Sequence, residues 1–163
     1  MLVLRSLFFT IVVPGTVTVL IPYLIVSGGR ATVIEHWGAP EYLSLVPIVV
    51  GAVILLRCIW DFTVVGRGTL APIDPPTELV VRGLYRYVRN PMYLGVLILL
   101  LGETALFESV ALLEYTAGWF VVVYLVVVLY EEPALRSRFG EPYNRYCRSV
   151  RRWLPGRPFD QAA

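Results

Sequence analysis

Four apolar runs divide this chain, at residues 7–26, 43–65, 91–108 and 110–130. A helix rises about 1.5 Å per residue and a bilayer presents roughly 30 Å of hydrocarbon, so about 20 apolar residues make a span. In lipid every backbone N–H and C=O needs a partner within the protein, which a helix supplies from its own segment. The rest of the composition agrees. With 57% hydrophobic and 16% charged residues and a mean hydropathy of +0.69, the chain is too apolar for an ordinary soluble domain. Its 163 residues allow one domain and leave no room for a separate soluble enzyme. The expected fold is therefore an all-α integral membrane protein. It is a single domain over residues 1–163, with about four transmembrane helices and a tail at 131–163.

The first run carries Pro14 and Pro22 and lacks a small-residue cleavage site, so it reads as a mature helix rather than a signal peptide. The third and fourth runs meet at Glu108-Ser109, where a tight turn makes a helical hairpin; one unbroken helix of that length would not fit a bilayer. Pro91 suits the first turn of the third helix, where its missing N–H has no intrahelical role.

All fourteen basic residues are Arg, and their placement sets the topology. Arg67, Arg82, Arg86 and Arg89 fall between runs two and three. Arg136, Arg138, Arg145, Arg148, Arg151, Arg152 and Arg157 follow run four, and Arg5 precedes run one. The other two loops carry Arg30 alone among basic residues, against Glu35, Glu41, Glu103, Glu108 and Glu114. Basic loops stay in the cytoplasm, so both termini and the loop over residues 66–90 are expected there, in a multi-pass cell (inner) membrane protein. Nothing points to nucleic acid, and membrane lipids are the surrounding partner. Oligomeric state is not readable from the chain.

Two polar clusters stand where a passive membrane helix would have none. One is Gly83-Leu84-Tyr85-Arg86-Tyr87-Val88-Arg89-Asn90-Pro91-Met92-Tyr93, at the mouth of the third run. The other is Glu131-Glu132-Pro133, at the close of the fourth, followed by Phe139-Gly140-Glu141-Pro142-Tyr143. The hairpin brings both to one membrane surface. The N-terminal end of a helix offers free N–H groups and a partial positive charge, which suit an anionic group. Nearby carboxylates suit hydroxyls and cations, so a small zwitterion with an amino-acid part, a ribose and a positive centre matches both ends. Carboxylates at a helix C-terminus also oppose the macrodipole, which argues for a role beyond solvation.

Duller readings exist for each group. Tyr85, Tyr87 and Tyr93 fit an aromatic belt, and Arg82, Arg86 and Arg89 fit topology determinants or headgroup contacts. Arg148, Arg151 and Arg152 also suit headgroups, with Arg152 within reach of the site. Arg57 and Asp61, four apart, read as an intrahelical pair or as partners of a neighbouring helix, with a functional role as the alternative for charges within a membrane segment. Cys58 and Cys147 have no zinc or redox spacing and read as apolar fillers. His36 is the only His and looks interfacial, and no metal is implied.

The pattern Gly-x-Tyr-Arg-x-x-Arg-Asn-Pro-x-Tyr, then Glu-Glu-Pro-x-Leu-x-x-x-Phe-Gly-x-x-Tyr-x-x-Tyr, then Arg-Arg-Trp-Leu-Pro resembles the isoprenylcysteine carboxyl methyltransferase family. That family is related to the membrane phospholipid methyltransferases. The resemblance runs from Thr77 to Pro155; the first two runs match only as generic membrane helices. It implies S-adenosylmethionine as cofactor and a lipophilic methyl acceptor, most directly an isoprenylcysteine-type carboxyl group. The alternatives are a phospholipid amine, or a non-catalytic membrane protein that keeps the fold. It implies a cofactor pocket roofed by the C-terminal segment, with Tyr143 and Tyr146 as lid residues. Carried over by position, Thr77, Glu78, Leu79 and Val80 line the cofactor and Tyr85 stands on its wall. Asn90, Pro91, Met92 and Tyr93 grip its amino-acid or sulfonium end, and Glu131 contacts its ribose or ammonium. Arg89, Asn90, Tyr93 and Glu132 are the catalytic candidates. Two positions depart from the family. Asn90 stands where His is frequent, keeping a hydrogen bond but not a titratable group. Val127 stands where eukaryotic prenylcysteine enzymes have an Arg that holds the substrate, so a prenylcysteine carboxylate needs another partner here.

Overall fold

The structure, a computed structural model, describes residues 12–29, 37–65, 79 and 81–159. These residues form five helices in order: α1 (Val12–Ser27), α2 (Ala39–Val65), α3 (Pro91–Leu106), α4 (Val110–Phe139) and α5 (Glu141–Ser149). A 3₁₀ turn, Gly83–Arg86, precedes α3. Among the described residues there is no strand, only a parallel bridge between Val88 and Arg151.

α2 and α4 are long and apolar enough to cross a membrane by length and composition, while α1 and α3 are shorter apolar helices. Their outward faces carry Val49, Val53, Leu56, Val121, Val122 and Leu125 in exposed positions, as lipid contact would require. α2 starts at Ala39, four residues before the expected span. Pro40 lies in its first turn, and the Glu41 carboxylate accepts the Gly38 N–H at 2.7 Å. Residues 7–11 of the first expected span lie outside the described residues.

α2 and α3 pack closely because glycines face each other across the seam. A side chain at Gly51 would meet the Gly95 carbonyl at 2.5 Å and the Leu99 N at 2.6 Å. Small residues of this kind let membrane helices approach backbone to backbone. Below the seam Leu55, Val96 and Leu100 form a core, with Met92, Tyr115 and Trp119 packed against it. The α3–α4 turn lies at Phe107 to Ser109, with Glu108 at φ 44° and the Ser109 hydroxyl capping the Leu112 N–H.

One expectation fails in an informative way. The fourth apolar run ends near Tyr130, but the helix does not; α4 continues to Phe139. Pro133 has no N–H and its ring crowds the carbonyl four residues back, so an unmodified α-helix would break there. Instead Val127–Glu131 widens into a π turn and the helix passes through. Glu131 and Glu132 are therefore mid-helix, and the argument that they oppose a C-terminal dipole falls away. α4 ends at Gly140, whose φ of 58° suits glycine.

Candidate active site

Gly83 opens the corner before α3. Its φ is 53°, and a side chain there would run into the Asp61 carboxylate at the end of α2. The following 3₁₀ turn buries Tyr85 against Cys58, Leu84 and Met92. The chain then passes the Val88 bridge and bends at Arg89, and Pro91, fully buried, starts α3. Tyr93, in the first turn, points across to α4 and donates its hydroxyl hydrogen to the Glu131 carboxylate, 38 residues away in sequence. Its ring meets Trp119 edge-on, with centroids 6.4 Å apart.

Residues 150–159 form a strap that fastens this corner. The Arg89 N–H donates to the Arg151 carbonyl at 2.9 Å, Gly156 N–H to the Tyr87 carbonyl at 2.9 Å, and Phe159 N–H to the Arg86 carbonyl at 2.8 Å. The Asn90 side-chain amide donates to the Arg152 carbonyl at 3.2 Å. Trp153 lies against α4, its ring 5.2 Å from that of Phe120 and 6.3 Å from that of Tyr124.

The next turn of α4 is ionic. Glu132, 8% exposed, receives Arg152 at both oxygens, Nε to Oε1 at 2.6 Å and Nη2 to Oε2 at 2.9 Å. Arg89 adds a second guanidinium, Nη1 to Oε1 at 3.1 Å, and the same nitrogen donates to the Cys147 Sγ at 3.0 Å. A bidentate Arg–carboxylate pair is strong and geometrically strict. Two guanidiniums on one buried carboxylate keep it ionised and fully engaged, so Glu132 suits holding parts together better than accepting a proton. In return Glu132, by hydrogen bonding, raises Arg152 further above an ordinary arginine. The Arg89 Nε and the Trp153 Nε1 are buried without a hydrogen-bond partner among the described residues.

α5 packs its apolar face under the strap. Tyr143 and Tyr146, each 3% exposed, join Val81 and Val150 in a small core, with Leu79 and Phe159 against it. The Tyr146 hydroxyl donates to the Tyr85 carbonyl at 2.6 Å. Burial raises both phenols above their ordinary range, and neighbouring Cys147 adds to the rise at Tyr143. These tyrosines are core residues rather than the expected lid, because their ring faces are needed to anchor α5. Burial likewise raises Tyr85, whose ring is enclosed.

The structure thus joins Arg89, Asn90, Pro91, Met92, Tyr93, Glu131 and Glu132 in one corner. Pro91 and Met92 are packing residues in it, and Tyr85 is enclosed behind it. Leu79 lies with the α5 core, while Thr77, Glu78 and Val80, like His36, are outside the described residues. Arg57 and Asp61 form the expected pair at 3.4 Å. The sequence reading took Cys147 for an apolar filler and gave Trp119 and Trp153 no role at the site. Their contacts link residues 26, 33 and 58 positions apart or more, and no local pattern announces them.

The family model described as phospholipid methyltransferase matches residues 40–142, more than half of the chain and the whole stretch from α2 into α5. The chain belongs to the phospholipid methyltransferase family. Two rice proteins, from Oryza sativa subsp. indica and subsp. japonica, are described as probable protein-S-isoprenylcysteine O-methyltransferase. Each is 29% identical over 129 residues, covering 74% of this chain and 63% of the rice protein. The chain therefore spans less than two thirds of the length of these relatives. An uncharacterized protein of Haemophilus influenzae is 36% identical over 69 residues, which is 39% of this chain and all of that protein. No solved structure matches. Within the phospholipid methyltransferase family the matched region contains the Tyr93–Glu131 pair and Glu132, but the match stops before the strap that supplies Arg152. The family assignment and the apolar α2 and α4 together mark a membrane protein.

Proposed function

We propose that this chain is an S-adenosylmethionine-dependent methyltransferase acting at the membrane surface on a lipophilic acceptor. The observation that carries the proposal is the Tyr93–Glu131 hydrogen bond, which joins the two halves of the sequence motif into one site. In this reading four helices span the inner membrane, the termini are cytoplasmic, and the site faces the cytosol.

The cofactor would bring an already activated methyl group on a sulfonium. The residues present fit it. Glu131 offers acceptor oxygens for ribose hydroxyls or an ammonium group. The rings of Tyr93 and Trp119 suit a cation. The first-turn N–H groups of α3 suit a carboxylate. Asn90 holds the strap by its amide, a donor role that a His could share, so its presence leaves the corner intact. Arg89, Arg152 and Glu132 fix the turn that presents Glu131. Such a methyl transfer depends mainly on placement, which is worth about 7–11 kcal/mol in favourable cases.

Two acceptors fit the family. A prenylcysteine carboxyl is what the rice relatives' names describe, and a carboxylate needs no general base. A phospholipid amine has one observation in its favour. Both guanidiniums of the corner already belong to Glu132, and Val127 offers no charge, so an anionic acceptor would approach Glu131 without a cation to balance it. An amine would find Glu131 a suitable neighbour and proton acceptor. The geometry favours the amine.

Saturable binding of S-adenosylmethionine in detergent, lost in Glu131→Ala, is the expected result; absence of binding by the intact protein rejects the enzyme reading. Incubating membrane extracts with methyl-labelled cofactor then separates the acceptors. Label in base-stable headgroups supports the amine, and base-labile label supports a carboxyl ester.

A further inference from the structure

Two prolines sit inside helices in the same local frame. Pro22 follows the π turn Thr16–Leu20, and Pro133 follows the π turn Val127–Glu131 at the same offset. In each case the residue before the proline donates its N–H five residues back. Ile21 donates to the Thr16 carbonyl, and Glu132 to the Val127 carbonyl. A regular α-helix would send those hydrogens four residues back, to Val17 and Val128. Both carbonyls lose that donor, and the residue five ahead of each is a proline with no hydrogen to give.

The two turns differ in what happens next. In α1 the Tyr115 hydroxyl, reaching across from α4, donates to the Val17 carbonyl at 2.9 Å. In α4 no described side chain or loop N–H donates to Val128. A carbonyl left this way is under-satisfied and remains a strong acceptor. Helix carbonyls point along the axis toward the C-terminus, so this one opens onto the turn that carries Glu131 and Glu132. It stands three residues from the carboxylate that Tyr93 holds.

We propose that the Val128 carbonyl oxygen is a ligand-binding atom of the site, accepting a hydrogen bond from a protonated primary amine whose charge Glu131 balances. An ammonium group carries three donors, and the carbonyl, the carboxylate and the lone pairs of the Tyr93 oxygen supply acceptors for them. The inference rests on the methyl-transfer reading for the identity of the amine, which is either the α-ammonium of the cofactor or the headgroup amine of a lipid acceptor. The turn enforced by Pro133 is then what keeps the acceptor atom available.

Pro133→Ala restores the missing N–H and lets Glu132 return its own to Val128. The expected melting temperature rises by about 2–4 °C, the scale of one recovered hydrogen bond. Affinity for an amine-bearing ligand falls about ten- to a hundredfold. Pro22→Ala is the control and leaves ligand affinity unchanged. Three probes are titrated in detergent: S-adenosylhomocysteine, its analogue lacking the α-amino group, and phosphatidylethanolamine in mixed micelles. Weakening confined to S-adenosylhomocysteine assigns the contact to the cofactor ammonium, and weakening confined to phosphatidylethanolamine assigns it to the acceptor. Unchanged affinities for all three overturn the proposal. Should the intact protein bind none of them, the methyl-transfer reading fails. The free carbonyl then stands on a larger melting-temperature gain for Pro133→Ala than for Pro22→Ala, and equal shifts overturn it.

Discussion

The α2–α3 seam and the corner between α3, α4 and the strap solve opposite problems. At the seam, Gly51 and Gly95 remove side chains altogether, and the helices meet backbone to backbone. At the corner, long side chains reach between elements: Arg89 and Arg152 converge on Glu132, and Tyr93 reaches Glu131. The seam leaves no room for added volume. The corner depends on its buried charges being matched. A membrane helix pair gains little from apolar burial against apolar lipid, so close approach does the holding. A buried ion group holds only while every member is present.

The comparison can be broken most severely at Gly51. Gly51→Val places methyl groups against the Gly95 carbonyl and the Leu99 N, and backbone cannot move aside as a side chain would. The expected cost is upward of about 3 kcal/mol, read as loss of the monodisperse peak in detergent size-exclusion chromatography. A well-folded variant would show that the seam is looser than the structure has it.

Glu132→Ala comes next. It leaves two guanidiniums facing one another in a half-buried corner and is expected to destabilise by about 3 kcal/mol in thermal unfolding. Glu132→Gln keeps the shape and loses the charge, and should recover little of that loss. Recovery to the parent level would mean that shape, not charge, fastens the strap. Tyr93→Phe is milder: it leaves one Glu131 oxygen without its donor, at about 1 kcal/mol of stability. On the proposed methyl-transfer reading its affinity for S-adenosylmethionine should fall further than stability alone explains, which titration calorimetry would measure.

The smallest effect is alkaline. Tyr143 and Tyr146 are raised by burial, so the folded state keeps both phenols neutral after the unfolded chain, near pH 10, begins to ionise. Stability is unaffected below that pH and declines as pH climbs beyond it. Tyr146→Phe removes one of the two titrations and should flatten the decline in unfolding measured between about pH 9 and 11.

Much of this was legible in the chain. The apolar runs announce the helices, Pro91 and Gly140 mark helix ends by backbone chemistry, and the two polar clusters mark the corner. The π turns were not legible, because Pro133 in sequence signals a break. Whether a helix ends or widens at a proline depends on what its continuation can pack against, and here Glu132 finds Arg89 and Arg152. Those partners lie 43 and 20 residues away, a pairing no local spacing encodes. Tyr143 and Tyr146 were misread for the same reason. Polar-tipped rings on an amphipathic segment suit a lid or a core alike, until Val81 and Tyr85 arrive to enclose them.

The strap has a consequence for how the molecule comes into being. On the proposed four-span reading, α1 to α4 would enter the bilayer in chain order, and Tyr93 and Glu131 would both be present once the α3–α4 hairpin forms. Arg152, Gly156 and Phe159 leave the ribosome later, so a nascent chain paused before them holds a hairpin whose corner is still unfastened. On that reading the strap, with its contacts to Glu132, Tyr87 and Arg86, is the last part of the corner to be made.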